Sequence, residues 1–146
     1  MSFGVERNRW RVLTPGSANA PILALNLNTM LCLAGTEFFP NLRGRILLIE
    51  QMDASLVMEE RLLRQLSLMG VFNEIAGLIV SKPEVYDSAG APFTYDDLIR
   101  EIVGARDYPV VTNFDCGHTV PMITIPQGAQ VKLVAETIGC ATFQFL

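Results

Sequence analysis

Two polar residues of this sequence follow apolar segments and have the side chains for acid–base chemistry. Glu50 ends the apolar run GRILLIE at 44–50, and His118, the only histidine, follows YPVVTNF at 108–114. A carboxylate that accepts a hydrogen bond from one imidazole nitrogen fixes the tautomer of the ring. It also stabilises the imidazolium that forms when the other nitrogen takes a proton. Such a pair is the acid–base half of a hydrolase triad.

The segments around these residues predict an α/β fold. Continuous apolar runs are typical of central parallel strands, and they occur at 44–50, 75–81 and 108–114. Helices are predicted between them, and two strand–helix–strand units in series imply a mostly parallel central sheet. Because the C-terminal ends of parallel strands meet at one edge, we expect Glu50 and His118 to lie together there.

The segment 53–69 is the clearest helix. Asp53 or Ser55 can cap its start and Gly70 can end it. We interpret the acidic residues Asp53, Glu59 and Glu60 as a helix start and a solvated face. The apolar residues fall at helical spacing on one face: Met58, Leu62, Leu63, Leu66 and Met69. A second helix is predicted after Thr94, which forms a capping-box pattern with Asp97.

Shorter elements flank this centre. The stretch 26–35 predicts a short helix that Asn26 or Asn28 caps, and TPGSANAP at 14–21 has the composition of a turn. KPEVYDSAGAP at 82–92 predicts an exposed loop, which we expect to border the cleft that holds Glu50 and His118. Further strands are predicted at 10–13, 22–25, 121–126, 129–136 and 141–146.

The composition restricts the class of protein. A chain of 146 residues suits one domain, residues 1–146. Hydrophobic residues make up 50% of the chain and the mean hydropathy is +0.33, which favours a sheet buried on both faces or a surface covered by a partner. A net charge of −4 argues against nucleic acid as a partner. No apolar stretch is long enough to span a membrane, and the start of the chain has no signal-peptide pattern.

The three cysteines predict reduced thiols rather than disulfides, so we expect a cytoplasmic protein. Cys32 and Cys140 lie in apolar runs and are predicted in the core, and Trp10 is predicted to pack near the first strand. Cys116 follows an apolar strand and is predicted to be a small packed residue. The alternative is a thiol nucleophile activated by His118, although side chains two apart on an extended segment face each other poorly. Asp115, Cys116 and His118 could also bind a metal, but no second cluster supports this. No phosphate-binding or dinucleotide motif is present, so no cofactor is predicted.

Three stretches together resemble a known family. GTEFFPNLRGRILLIE, EERLLRQLSLMGVFNEIAGLIVSKPE and YPVVTNFDCGHTVPMITIPQGAQVKL occur in this order with similar spacing. They resemble the C-terminal half of the serine LD-carboxypeptidases, which include muramoyltetrapeptide carboxypeptidases and microcin C immunity peptidases. The resemblance runs from about Trp10 to Leu133. NFDCGHTVPMITIPQGA is closest to the immunity-type branch, in which a phenylalanine commonly stands at the position of Cys116.

The resemblance implies a Ser-Glu-His triad, with the glutamate at Glu50 and the histidine at His118. It implies a peptide substrate, either an L,D-peptide bond of murein or an amide of a peptidyl-nucleotide antibiotic. Neither a metal nor an organic cofactor is implied. In family terms the fold would be a swivelling β/β/α-type α/β domain, and a homodimer is expected.

The family carries its nucleophilic serine in a separate N-terminal domain, which would precede Trp10. None of the serines here lies in a Gly-x-Ser-x-Gly turn: Ser2, Ser17, Ser55, Ser67, Ser81 and Ser88. We therefore expect the C-terminal domain alone, inactive when isolated and dependent on the missing N-terminal domain as a partner. The alternative is a non-catalytic binding or dimerisation module that retains the fold.

Overall fold

The computed structural model describes residues 10–53, 55–84, 87–137 and 140–146. Seven strands form one sheet in this part of the chain: β1 (Arg11–Thr14), β2 (Gly16–Asn26), β3 (Ile46–Glu50), β4 (Gly77–Ser81), β5 (Val110–Phe114), β6 (Gln130–Ala135) and β7 (Ala141–Phe145). Among the same residues the helices are α1 (Leu27–Leu31), α2 (Leu56–Leu68) and α3 (Tyr95–Val103), with a 3-10 turn at Val71–Asn73. No helix of the described residues is long and apolar enough to cross a membrane.

The four central strands are parallel. The strand order is β1-β5-β4-β3-β2-β6-β7, in which β2, β3, β4 and β5 run parallel, whereas β1, β6 and β7 pair antiparallel with their neighbours. The predicted α/β class is confirmed. Its parallel character belongs to the centre of the sheet, and both edges are antiparallel.

The sheet curls because of how β1 and β2 are connected. One residue, Pro15, separates these strands, although they lie four places apart in the strand order. In β2, residues 16–21 pair with β6 and residues 22–26 pair with β3. The β2–β6 ribbon thereby folds over the central strands, and a Cβ placed on Gly77 of β4 would lie 3.6 Å from both Ala18 and Leu133.

This curl explains why the central strands are apolar on both faces. One face packs against the helices, where Leu47, Ile49, Leu78 and Val80 join a cluster with residues of α2 and α3. The opposite face packs against the curled ribbon. Its buried residues are Ala18, Ala20, Ile22, Ile46, Leu48, Ile79, Val111, Phe114, Val131, Leu133 and Ala135.

Two of the shorter predicted elements were wrong. The stretch 14–21 is largely strand rather than turn, because the ribbon lies so close to the centre that Ala18 and Ala20 fit where larger side chains would not. The stretch 121–126 forms an irregular loop rather than a strand. Cys32 and Cys140 are exposed rather than buried.

The central helices begin and end where the sequence predicts. Ser55 accepts a hydrogen bond from the backbone N–H of Met58, Gly70 adopts a left-handed conformation after α2, and Thr94 with Asp97 forms the capping box of α3. The buried face of α2 differs from the predicted one, since Met58 is exposed. Its buried residues are Leu56, Glu59, Leu63 and Leu66.

A buried carboxylate holds the segment that follows β5. The Trp10 ring packs on Phe114 with centroids 4.4 Å apart, as predicted for a packing residue, and its Nε1 donates to Asp115 Oδ2 at 2.9 Å. The ammonium of Lys82, which follows β4, pairs with Asp115 Oδ1. The backbone N–H of Ile123 donates to the Asp115 carbonyl at 2.8 Å. Both ends of the loop 116–122 are therefore fixed at Asp115.

We predict that Asp115→Ala lowers the free energy of unfolding by about 3 kcal/mol, because it leaves the Lys82 ammonium buried without this carboxylate. Urea unfolding followed by circular dichroism measures the change. The double variant Lys82→Met/Asp115→Leu should recover much of the loss by replacing the pair with apolar side chains. A double variant as unstable as the single one would contradict this explanation.

Candidate active site

Glu50 and His118 meet at the C-terminal edge of the parallel strands. Glu50 is the last residue of β3, and His118 lies on the loop that follows β5. His118 Nδ1 lies 2.8 Å from Glu50 Oε2. The Glu50 side chain is 13% exposed and that of His118 is 48% exposed. The carboxylate is thus largely withdrawn from water while the imidazole stays accessible to a reactant.

Asn26 holds the second oxygen of Glu50. It is the last residue of β2 and pairs in register with Glu50 across the parallel ladder. Its Nδ2 donates to Glu50 Oε1 at 2.8 Å, while its Oδ1 accepts from the backbone N–H of Thr29 at 2.9 Å and so caps α1. Both ends of the carboxamide are used, so rotating the amide would break two hydrogen bonds at once.

Glycine is required at position 117 by two independent constraints. Its φ of +88° lies in the left-handed region, which side chains with a Cβ rarely adopt. In addition, a Cβ there would lie 2.8 Å from Glu50 Oε2 and 3.0 Å from the Glu50 Cβ. The backbone before His118 can therefore approach the carboxylate only because position 117 has no side chain.

The pair has the electrostatics of a base held ready for protonation. The hydrogen bond that His118 donates to Glu50 raises the pKa of His118, and the negative charge of Glu50 adds to the effect. Glu50 occupies Nδ1, which leaves Nε2 as the ring nitrogen that can exchange a proton with a reactant. The arrangement can accept a proton at Nε2 and stabilise the resulting imidazolium.

A cleft of about 270 Å³ opens beside His118. Its polar lining is mostly engaged within the protein: the Gln127 amide bonds both the N–H and the carbonyl of Ala24, and Asn26 is used as described above. The remaining lining is largely apolar: Ala24, Leu25, Leu48, Met122 and Ile125, with the Cys116 thiol. The charge of Glu84, in loop 82–92, also raises the pKa of His118; residues 85 and 86 of this loop lie outside the described residues.

The geometry does not favour the thiol or metal alternatives. Burial raises the pKa of the Cys116 thiol, which disfavours the nucleophilic thiolate, and His118 Nδ1 bonds to Glu50 instead. Asp115 is directed to Trp10 and Lys82. In the described ranges, no group of three or more His, Cys, Asp and Glu side chains is arranged to hold a metal ion.

The serines of the chain have other roles or positions. Ser55 caps α2 and Ser81 is buried at the end of β4, whereas Ser2 lies outside the described residues. Across residues 10–53, 55–84, 87–137 and 140–146, no hydrogen bond joins a serine to His118.

A second carboxyl lies close behind Glu50, and the interpretation of Glu59 as part of a solvated face was wrong. Glu59 is 1% exposed, and Tyr95 OH donates to its Oε2 at 2.9 Å. Oε1 has no hydrogen-bond partner among the described residues. Burial raises the pKa of Glu59 to about 7; the Tyr95 hydrogen bond opposes the rise and the charge of Glu50 adds to it.

Comparison with known proteins identifies similar chains. The family profile described as "LD-carboxypeptidase C-terminal domain" matches residues 19–133. The microcin C7 self-immunity protein MccF of Escherichia coli is 34% identical over 119 residues, which cover 81% of this chain and 35% of MccF. A Bacillus subtilis protein described as "probable murein peptide carboxypeptidase" is 27% identical over 123 residues, covering 83% of this chain and 39% of that one.

Solved structures agree with these matches. MccF in complex with aspartyl sulfamoyl adenosine superposes with a TM-score of 0.80 at 32% identity, over 87% of this chain and 38% of that one. The muramoyltetrapeptide carboxypeptidase from Oxalobacter formigenes shares the fold, with a TM-score of 0.80 at 21% identity over 93% of this chain and 48% of that one. This chain spans between a third and two fifths of the length of the curated relatives named above.

We predict that Gly117→Ala separates Glu50 from His118 and moves the pKa of His118 back toward its ordinary value. NMR titration of the imidazole Cε1–H measures this directly, because the chain has one histidine. Strain at positive φ should also cost about 1–2 kcal/mol of stability. Gly44→Ala is the matched control: Gly44 has a φ of +67°, and a Cβ placed there would have nothing within 4 Å, so this variant should lose stability and leave the His118 titration unchanged.

We predict that Glu59 makes stability fall as the pH rises from about 4.5 to about 7. In this range the Glu59 carboxyl has lost its proton in the unfolded chain but retains it in the folded chain. Folding therefore becomes less favourable by about 3 kcal/mol in total, and this loss persists above about pH 7. Glu59→Gln should remove this part of the pH dependence, as measured by urea unfolding at a series of pH values. Glu60→Gln, at an exposed neighbour that pairs with Arg64, should keep it.

Proposed function

The chain belongs to the LD-carboxypeptidase family, and we propose that it supplies the glutamate and histidine of a Ser-Glu-His triad to a peptidase of that family. The observation that carries the proposal is the contact of 2.8 Å between His118 Nδ1 and Glu50 Oε2 at the C-terminal edge of the parallel strands. The family match over residues 19–133 supports it.

In the proposed reaction His118 is the general base and then the general acid. Its Nε2 accepts the proton of a serine hydroxyl as the serine oxygen attacks the carbonyl carbon of the scissile amide. The same nitrogen then returns the proton to the leaving amine as the carbon–nitrogen bond breaks. Water later attacks the acyl-enzyme, with His118 again taking and returning the proton, so that the enzyme is regenerated.

Glu50 is the orienting group, and Asn26 positions it. Glu50 keeps the proton of neutral His118 on Nδ1, which leaves Nε2 with its lone pair, and it stabilises the imidazolium during each step. Asn26 holds Glu50 Oε1, so the other carboxylate oxygen is directed to the imidazole. Removing Asn26 should therefore lower the rate less than removing Glu50.

We propose two substrate classes: L,D-peptide bonds of murein peptides, and amides of peptidyl-nucleotides. The first follows from the name of the Bacillus subtilis relative. The second follows from the MccF complexes with glutamyl sulfamoyl guanosine and aspartyl sulfamoyl adenosine. MccF is the more similar of the two sequences, so an aminoacyl sulfamoyl nucleoside is the first substrate to test.

The partner that we propose is an N-terminal domain that carries the serine and the oxyanion hole. Val120 and Met122, two and four residues after His118, are 89% and 68% exposed, which suits a surface that another domain covers. The relatives extend well beyond the matched region, so they have room for such a domain. The homodimer expected from the family resemblance stays a prediction.

The test joins the N-terminal part of MccF, up to the start of the matched region, to this chain. We predict that the fusion releases the amino acid from aspartyl sulfamoyl adenosine, whereas this chain alone does not. Glu50→Gln and His118→Ala should each lower kcat/KM by about a thousandfold or more, because the triad acts as a unit. Product release followed by mass spectrometry is the measurement.

Cys116→Ala is the matched control, since it lies beside His118 without contributing a proton in this proposal. It should retain most of the activity. Hydrolysis that persists in Glu50→Gln and His118→Ala, or that depends on Cys116, would contradict the assigned roles. A folded fusion that binds the substrate and never hydrolyses it would favour the alternative, a binding module that retains the fold.

A further inference from the structure

Glu59 has no part in the proposed reaction, although it lies in the same crevice as Glu50. This crevice lies between the C-terminal ends of the strands and the helices, and it is too narrow to admit a water molecule. Leu27, Ile49, Val80, Ser81 and Pro83 line it together with Glu50, Gln51, Glu59 and Tyr95. A carboxyl in such a place cannot obtain the hydration that stabilises a carboxylate.

The groups facing Glu59 do not replace that hydration. From α3 comes the Tyr95 hydroxyl, which bonds one oxygen, and from β3 comes Glu50, which carries the same charge as ionised Glu59. The residues that α1 and the end of β4 contribute to the crevice do not ionise. The ammonium of Lys82, the residue after Ser81, pairs with Asp115. Ionised Glu59 would therefore add a second negative charge next to Glu50, without a cation of its own among the groups named here.

We propose that Glu59 is a positioning residue that acts through Glu50: its protonation state sets how strongly the Glu50 carboxylate holds the proton of His118. This inference rests on the proposed function for its meaning, because it concerns the base of that reaction. The coupling itself is a property of the three side chains and can be measured without any substrate.

The direction of the effect follows from charge. While Glu59 is neutral, His118 interacts with the charge of Glu50, to which it is bonded, and with that of Glu84. When Glu59 ionises, a further negative charge favours the imidazolium, and His118 keeps its proton to higher pH. A general base must be neutral to accept a proton, so neutral Glu59 favours the working form of His118 and ionised Glu59 opposes it.

The single histidine makes the experiment direct. The Cε1–H signal of His118 is followed by NMR against pH in the chain itself, in wild type and in Glu59→Gln. Wild type should depart from a single titration curve, because two interacting groups lose their protons over overlapping pH ranges. Glu59→Gln should give one simple curve, with a midpoint lower by about half a pH unit.

Three further variants make the test specific. Glu60→Gln, the exposed neighbour on α2, should leave the His118 curve as in wild type. Tyr95→Phe removes the hydroxyl that stabilises ionised Glu59, so the second step of the His118 curve should move to higher pH. Glu59→Met fills the same space without a charge and should match Glu59→Gln, which covers the case that the buried amide perturbs folding.

Identical His118 curves in wild type, Glu59→Gln and Glu59→Met would overturn the inference. In the active fusion, the acid limb of kcat/KM should move to lower pH in Glu59→Gln by the same half unit or so. A merely structural role would lower the rate without moving that limb. If NMR shows the coupling but the fusion does not hydrolyse the substrate, only the proposed function is contradicted. If the fusion is active but the acid limb of its kcat/KM profile lies at the same pH in wild type and Glu59→Gln, only this inference is contradicted.

Discussion

The structure of the candidate site depends on one carboxylate that is held from two sides. Glu50 is largely buried, and a buried charge is tolerated only where hydrogen bonds replace its hydration. Asn26 and His118 supply these bonds, one to each oxygen. Asn26 reaches Glu50 because β2 and β3 are parallel and in register, and it stays in place because it also caps α1. The orientation of the histidine is thus determined by the pairing of two strands.

The position of His118 depends on a second constraint, in the loop that carries it. Asp115 fixes the base of the loop through Trp10, Lys82 and the backbone of Ile123, so the loop leaves β5 in a defined direction. Gly117 then lets the backbone pass against the Glu50 side chain. The first interaction is a buried ion pair and the second is a close steric contact. Neither Asp115 nor Gly117 carries or accepts a proton in the proposed reaction.

The sequence predicts the centre of this arrangement because the determining signals are local. Apolar runs identify β3, β4 and β5, and the residues that end or follow them identify the edge where Glu50 and His118 meet. The role of Asn26 toward Glu50 could not be predicted, since it depends on the register between β2 and β3. The first half of β2 was missed because its small residues, which the curl of the sheet requires, also have the composition of a turn.

Glu59 shows why the environment of an acidic residue cannot be inferred from its spacing alone. On α2 it is followed by Glu60, and a step of about 100° around the helix separates a carboxyl that pairs with exposed Arg64 from one that is buried beside Glu50. The two buried carboxyls then differ in their partners. Glu50 accepts hydrogen bonds from two donors, whereas Glu59 has one donor and an oxygen without a hydrogen-bond partner among the described residues, so burial favours the neutral form of Glu59. The two carboxyls lie in one crevice, and in the proposed coupling His118, bonded to Glu50, is the group that responds.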